Sequence, residues 1–225
     1  MILLDLLFPR RCVGCGRLGS YICPDCRKTL VLQPQLCSEC GRPAIDGATH
    51  PACRKPLGLD GLTTIFSNRS VIKRAIKVLK YRLVSDLAET LINLIPEKVL
   101  ANLPTGRGDL VVYPIPLHKE RLKWRGFNQA GVLGKYLAKR LKLNAVDGLL
   151  IRKMKRVPQA DIAKREDRIK NAQGLFIGTT KLEATKPLNI LLVDDVWTTG
   201  ATMKEAAKVL KRNEVSKVWG LTLAR

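Results

Sequence analysis

The seven cysteines of this 225-residue chain all lie within its first 53 residues, and their spacing restricts what that region can fold into. Six of them form three Cys-x2-Cys pairs, and the seventh follows a histidine at the same spacing. A tight turn between paired ligands directs both at one point, so each pair is half of a tetrahedral metal site. Four pairs therefore predict two sites. The first comprises Cys12, Cys15, Cys23 and Cys26, and the second comprises Cys37, Cys40, His50 and Cys53.

Zinc suits both predicted sites, because it accepts sulfur and nitrogen ligands in closed tetrahedra. Residues 10–58 include few large apolar side chains, so bound metal would replace a hydrophobic core there. Protein ligands fill all four positions of each site, which predicts two structural zinc ions. Disulfides would leave the seventh cysteine alone, whereas an iron–sulfur cluster stays open as an alternative. A surface role is the alternative for His50, but its register with Cys53 favours a ligand.

The start of the chain has no recognisable export signal. Met1–Phe8 is apolar but contains Asp5 and lacks a preceding basic segment. No stretch approaches the ~20 apolar residues of a membrane span. We therefore expect a cytoplasmic protein without a transmembrane segment, or one that is peripheral to the inner membrane. Disulfides are rare in the cytoplasm, and we expect Met1–Phe8 to pack on the body as a terminal strand or short helix.

The charge is strongly one-sided. Forty Lys and Arg residues against nineteen Asp and Glu give a net charge of +21, which favours polyanionic partners such as nucleic acid, phosphorylated metabolites or an anionic membrane surface. Most of the excess lies after residue 60. We place a joint at Pro56–Asp60 and predict a double zinc-ribbon domain over residues 1–58 and a larger domain over residues 59–225.

The larger domain alternates between strand and helix patterns, which predicts an open α/β sheet. Ligands of such sheets bind at the carboxyl ends of the strands. Helices are predicted over 70–95 (one or two), 129–143 and 202–213. Strands are predicted over 109–116, 147–152, 188–194 and 217–224.

The most informative segment is a buried strand that ends in two carboxylates, Asp194 and Asp195. A loop of small and hydroxylated residues follows, and a helix begins near Thr202. Backbone N–H groups of such a loop and helix start form an anion cradle. The carboxylates cannot bind a phosphate, but they can accept hydrogen bonds from sugar hydroxyls, directly or beside Mg²⁺. A 5-phosphorylated ribose satisfies both halves of the pattern.

Residues 190–202 resemble the phosphoribosyl-pyrophosphate (PRPP) motif of type I phosphoribosyltransferases. Further motifs resemble the ComF/ComFC competence proteins and their GntX-like relatives, and the resemblance covers almost the whole chain. Ile162, where the family often has Leu, and His50, where relatives often have Cys, are departures. The motifs that carry the resemblance are the cysteine pairs, Lys80-Tyr81, Pro114-Ile115-Pro116, Arg125-Gly-Phe-Asn-Gln129, Pro158-Gln159 and Arg168-x2-Asn171.

The resemblance implies a type I phosphoribosyltransferase-like parallel sheet with helices on both faces. It also implies a pyrophosphate loop at Pro114–Lys119, including Ile115 and Pro116, and a mobile loop at 152–176. Asp194 and Asp195 would hold the ribose, and Mg²⁺ would accompany PRPP. Arg125 or mobile-loop bases would neutralise the pyrophosphate. The 5-phosphate would be held by Thr198, Thr199, Gly200, Ala201 and Thr202.

Two functional hypotheses follow. The first is a phosphoribosyltransferase that transfers 5-phosphoribose to an unidentified acceptor, although the sequence offers no obvious general base and no base-binding hood. The second is a binding module in natural transformation. The resemblance implies that it handles single-stranded DNA, with DNA-uptake proteins at the inner membrane as further partners.

Basic residues alternate with aromatic ones in the segment 119–127, which we place in a loop at the carboxyl edge of the sheet. That mixture suits a groove that follows a DNA backbone and stacks its bases. The alternative is that Trp124 and Phe127 anchor the loop in the core. The predicted contacts to nucleic acid are Lys119, Arg121, Lys123, Trp124, Arg125, Phe127, Lys80 and Tyr81.

Overall fold

Five parallel strands form the central sheet of a computed structural model, which describes residues 9–81, 85–104, 110–153, 172–184 and 189–225. In chain order these strands are β1 (Gly61–Phe66), β2 (Leu110–Pro114), β3 (Asn144–Ala145), β6 (Asn189–Val196) and β7 (Lys217–Ala224). Their order in the sheet is β1-β7-β6-β2-β3. Two further strands, β4 (Leu150–Arg152) and β5 (Phe176–Gly178), pair antiparallel in a small separate sheet. The central strands are rich in buried aliphatic residues because helices cover both faces.

The helices divide between the two faces. One core packs helices α2 (Ser70–Tyr81), α3 (Ser85–Asn93) and α6 (Gln129–Leu141) against the sheet, and the other packs helix α8 (Ala201–Arg212) and the small sheet against the opposite face. The predicted α/β class with helices on both faces is therefore confirmed. The helices are α1 (Pro24–Lys28), α2 (Ser70–Tyr81), α3 (Ser85–Asn93), α4 (Glu97–Ala101), α5 (Lys119–Arg125), α6 (Gln129–Leu141), α7 (Thr180–Ala184) and α8 (Ala201–Arg212).

Three sequence predictions need correction. The prediction of a loop over 119–127 is wrong, because residues 119–125 form α5, which His118 caps by accepting a hydrogen bond from the Glu120 amide. The strand expected over 147–152 shortens to β4 and leaves the central sheet, because it pairs with β5 instead. The strand expected to stop at 194 continues to Val196, since Val196 still pairs with Ala224 of β7.

Other expectations lie outside the described residues. These are the terminal element at 1–8, the motifs at 158–159 and 168–171, and most of the predicted mobile loop at 152–176.

The segment between the two cysteine quartets covers the free edge of β1. Ser67 donates its amide to Val31, Gln33 donates its amide to Ile65, and the Gln35 side chain exchanges two hydrogen bonds with Thr64. Exposed edge strands invite pairing with other chains, so this cover protects the sheet. These contacts cross the joint that the sequence placed at Pro56–Asp60.

Candidate functional site

The first metal site brings together the four predicted thiols, whose sulfur atoms all lie within 4.8 Å of one another. Burial opposes ionisation of Cys12, but hydrogen bonds from the backbone of Cys23, Cys15 and Gly14 lower its pKa to about 6. A thiolate is the form that binds zinc, so these backbone hydrogen bonds favour the zinc-binding form of Cys12. Gly14 is required for close approach, since a Cβ atom there would lie 2.4 Å from the Cys26 sulfur.

The second metal site joins Cys37, Cys40, His50 and Cys53, whose ligand atoms also lie within 4.8 Å of one another. His50 Nδ1 lies 3.4 Å from the Cys40 sulfur, and Nε2 lies 2.9 Å from the Pro43 carbonyl. A carbonyl can only accept, so Nε2 carries the proton and Nδ1 faces the metal position. This arrangement is typical of a metal-binding histidine. Both donor sets fit zinc, and the two sites are structural zinc sites.

Purified protein is expected to contain two zinc ions per chain. Because the quartets are separate, Cys37→Ser should lose one ion and keep the other. Metal analysis of both proteins checks this. One ion or none in the wild type, or loss of both ions in the variant, would contradict two independent sites.

The candidate phosphate site lies where β6 passes into α8. Gly200 caps the helix with φ of +74°, and Trp197 packs against it so closely that a Cβ at Gly200 would lie 2.2 Å from the indole ring. Thr199 Oγ1 accepts a hydrogen bond from the Ala201 amide. The result is a small depression, and an anion there would face the helix start. Its walls are Asp194, Val196, Trp197, Thr198, Gly200, Ala201, Thr202, Met203 and Thr222.

The two aspartates point to opposite faces of the sheet, because β6 continues through both of them. Asp194 lies on the same face of β6 as Leu192 and lines the depression. Asp195 lies on the opposite face, with Val193, and is 5% exposed. Its Oδ2 lies 2.9 Å from Nζ of Lys80 on α2. The family resemblance implies that both carboxylates hold the ribose. The structure brings one of them to the depression and pairs the other with a lysine.

Burial and repulsion from Asp195 raise the pKa of Asp194 to about 7, against the opposing influence of Arg152 and Lys80. Arg152 lies at the end of β4, above the Phe176 ring at 5.7 Å. Burial lowers the pKa of Arg152, while the nearby Asp194 acts in the opposite direction. Sequence reasoning treated Arg152 as the first residue of a loop and missed this relation to Asp194, because no local pattern links them.

The predicted pyrophosphate loop follows β2 and stays close to β6, since the Ile115 amide donates to the Val193 carbonyl at 2.9 Å. Asn128 caps α6 by accepting from the Ala130 amide and donates its Nδ2 to the Ile115 carbonyl at 2.9 Å. Arg125 donates to the Gln129 side chain at 3.1 Å. The Arg-Gly-Phe-Asn-Gln motif therefore holds α5 and α6 against this loop.

The predicted nucleic-acid contacts separate into two groups. Lys119, Arg121 and Lys123 are exposed on α5, and Trp124 is 71% exposed, so it does not anchor a core. Phe127 and Arg125 are half-buried. Lys80 is ion-paired with Asp195 and is not part of the α5 surface, and the Tyr81 side chain lies outside the described residues.

Within the described part of the chain, no helix is long and apolar enough to cross a membrane.

Comparison with known proteins gives a match to one family model and to several competence and DNA-utilization proteins. A family model described as a double zinc ribbon domain matches residues 3–54. The competence protein ComFC of Bacillus subtilis is 29% identical over 224 residues, which cover 91% of this chain and 84% of that protein. Competence protein F of Haemophilus influenzae is 28% identical, with 96% and 98% covered. The DNA utilization protein YhgH of Escherichia coli K12 is 31% identical over 215 residues, with 91% of both chains covered. The chain belongs to the ComF/YhgH family of competence and DNA-utilization proteins.

Proposed function

We propose that this protein binds PRPP, together with Mg²⁺, at the carboxyl end of β6 and handles single-stranded DNA during DNA uptake. The observation that carries the phosphoribosyl part is the depression between Asp194 and the Gly200-capped start of α8. The names of the relatives, competence and DNA utilization proteins, support the DNA part.

Each half of the site would serve one part of the ligand. The 5-phosphate would accept hydrogen bonds from the amides and hydroxyls of Thr198–Thr202, and the helix dipole would favour its charge. Asp194 would accept hydrogen bonds from ribose hydroxyls. Arg152 lies on the same face and would favour the pyrophosphate. Mg²⁺ would neutralise the pyrophosphate charge.

PRPP binding is expected to strengthen by up to about tenfold between pH 6 and 8, because the ionised fraction of a carboxyl group with a pKa near 7 rises by that factor. Below that pKa, Asp194 is protonated and loses an acceptor. Calorimetry across this range measures the effect. Ionisation of the PRPP phosphates also changes the affinity with pH. Asp194→Asn is the control, because its pH dependence comes from the ligand alone. Parallel pH profiles for both proteins would contradict the role of Asp194.

The same substitution tests the site without ligand. A carboxyl group whose folded pKa is raised destabilises the folded state increasingly as pH rises from its unfolded pKa to its folded pKa. Asp194→Asn should therefore raise the melting temperature at pH 8 and leave it almost unchanged at pH 4.

Single-stranded DNA is expected to bind in a sequence-independent, salt-sensitive manner through α5. Replacing Lys119, Arg121 and Lys123 with Glu should weaken binding on the order of a hundredfold and lower the salt slope by about 2, because each neutralised phosphate releases about 0.7 of a counterion. Trp124→Ala should reduce the preference for single strands over duplex without changing that slope, because stacking requires unpaired bases. Fluorescence anisotropy at several salt concentrations measures both quantities.

The matched control replaces Lys135, Lys139 and Lys142 with Glu; these residues are exposed on α6 or directly after it. They carry the same charge as the α5 residues but lie at a different helix. Equal losses of binding from both triple variants would mean that the net charge acts alone, and the assignment of DNA binding to α5 would be wrong.

Phosphoribosyl transfer is a second candidate, favoured by the position of Arg152 near Asp194. In that reaction an acceptor nucleophile would bond to C1 of the ribose as pyrophosphate leaves with the bonding electrons. Release of pyrophosphate from PRPP that depends on an added nucleobase or amine would support it. Binding of PRPP without any such release would leave the binding role alone.

A further inference from the structure

Glu39 connects the second metal site to helix α8. It lies inside the first ligand pair of that site, between Cys37 and Cys40. Its carboxylate pairs with Lys204 of α8 at 3.0 Å and with Lys55 at 2.6 Å, and its side chain is 13% exposed. Lys55 follows the last ligand, Cys53, by two residues. One carboxylate therefore joins both ends of the second zinc ribbon to α8.

Lys204 belongs to the first turn of α8. Its amide donates to the Gly200 carbonyl at 2.9 Å, so its backbone is part of the turn that borders the phosphate depression. A cavity of about 490 Å³ lies between the ribbon and this turn, with Thr199 and Ala201 in its wall alongside Glu39 and Lys204. The zinc ribbon and the phosphate loop thus face one space.

The two ion pairs of Glu39 differ in their contribution to stability. Lys55 is 67% exposed, and exposed pairs contribute little to stability. Lys204 is 31% exposed and its pair with Glu39 is largely covered, so loss of the carboxylate would leave a half-buried ammonium without that partner. A cation in the first turn also opposes the helix dipole, and Glu39 offsets that disadvantage. The position of Lys204 therefore depends on the ribbon.

We propose that Glu39 is a positioning residue that couples the second zinc site to the first turn of α8 and so to phosphate binding. Closure of the metal site fixes Glu39, which holds Lys204 and the turn that ends the phosphate loop. Coupling between two sites is reciprocal, so ligand in the depression should in turn retain zinc in the second site. The ligand part of this inference rests on the proposed function.

The first zinc site supplies a matched control. Asp25 occupies the same place in its pair, directly before Cys26, as Glu39 does before Cys40. Its carboxylate pairs at 2.6 Å with Arg17 of the same ribbon. Asp25→Asn therefore removes an equivalent charge beside a zinc ligand without touching the contact to α8.

The first measurement needs no ligand. Hydrogen exchange of the full-length protein follows the amides of residues 202–205. Glu39→Gln should accelerate their exchange several-fold, Cys37→Ser should do the same by opening the second site, and Asp25→Asn should leave them unchanged. Unchanged exchange in Glu39→Gln, with two zinc ions still bound, would overturn the coupling.

The second measurement is an equilibrium competition for zinc with a chelator, with and without PRPP. Saturating PRPP should raise the affinity for one of the two ions by about fivefold or more in the wild type and in Asp25→Asn, a typical coupling, but not in Glu39→Gln. Heat of PRPP binding with no change in zinc affinity would overturn the coupling while leaving the proposed function intact. Absence of any binding heat would overturn the proposed function, and hydrogen exchange would then decide the coupling alone.

Discussion

Replacing Lys80 with Met is expected to destabilise the folded protein by about 3 kcal/mol, the lower end of what the loss of one partner costs a buried ion pair. Asp195 is 5% exposed and would keep its charge beside Asp194 without the Lys80 ammonium at 2.9 Å. Chemical denaturation at pH 8 measures the loss.

Two further variants make the result specific. Lys77→Met removes an exposed lysine from the same helix, one turn earlier, and should cost less than about 0.5 kcal/mol. Adding Asp195→Asn to Lys80→Met should recover much of the lost stability, because both charges are then absent. A Lys80→Met protein as stable as the Lys77→Met protein would mean that the ion pair contributes nothing.

Replacing Gly200 with Ala is expected to abolish PRPP binding, with a loss of at least about a hundredfold, because the start of α8 would have to move. The new Cβ would lie 2.2 Å from the Trp197 ring, which is 6% exposed and has little room to yield. The backbone also adopts φ of +74°, which side-chain-bearing residues rarely adopt. Calorimetry with PRPP measures the binding, and thermal unfolding reports the accompanying loss of stability.

Backbone strain alone is controlled by Gly16→Ala. Gly16 has φ of +79°, but no atom lies within 4 Å of the Cβ position. This variant should lose about 1 kcal/mol of stability and keep PRPP binding. If Gly200→Ala binds PRPP as the wild type does, the depression at the start of α8 is not the phosphate site.

Spacing within a short segment was enough to predict the ligand sets of both metal sites. Metal geometry fixes which residues must meet, so ligand pairs separated by two residues carry the information by themselves. The strand–loop–helix at β6 and α8 was equally visible, since a continuous apolar run and a glycine before a helix are local signals. The α/β class and the helical pattern of residues 70–95 followed from periodicity for the same reason, although periodicity left open whether that segment forms one helix or two.

The long-range contacts around the site could not be predicted from the sequence. Lys80 and Asp195 are far apart in the chain, as are Glu39 and Lys204, and only the packing of α2 and the second ribbon on the sheet brings them together. The opposite orientation of Asp194 and Asp195 depended on whether β6 continued past them, and strand ends are the least certain part of a sequence prediction. The helix at 119–125 was missed because its charges were interpreted as a DNA-binding loop.

The position of β7 has a consequence for how the protein is made. This strand follows every other described strand in the chain, yet it lies inside the sheet between β1 and β6. While the ribosome is still producing the chain, β1 and β6 have no neighbour to pair with on their facing sides, so assembly of the sheet is delayed until residues 217–224 emerge. A nascent chain or a fragment that stops before residue 217 would leave a gap in the middle of the sheet, and we expect it to be an aggregation-prone substrate for chaperones.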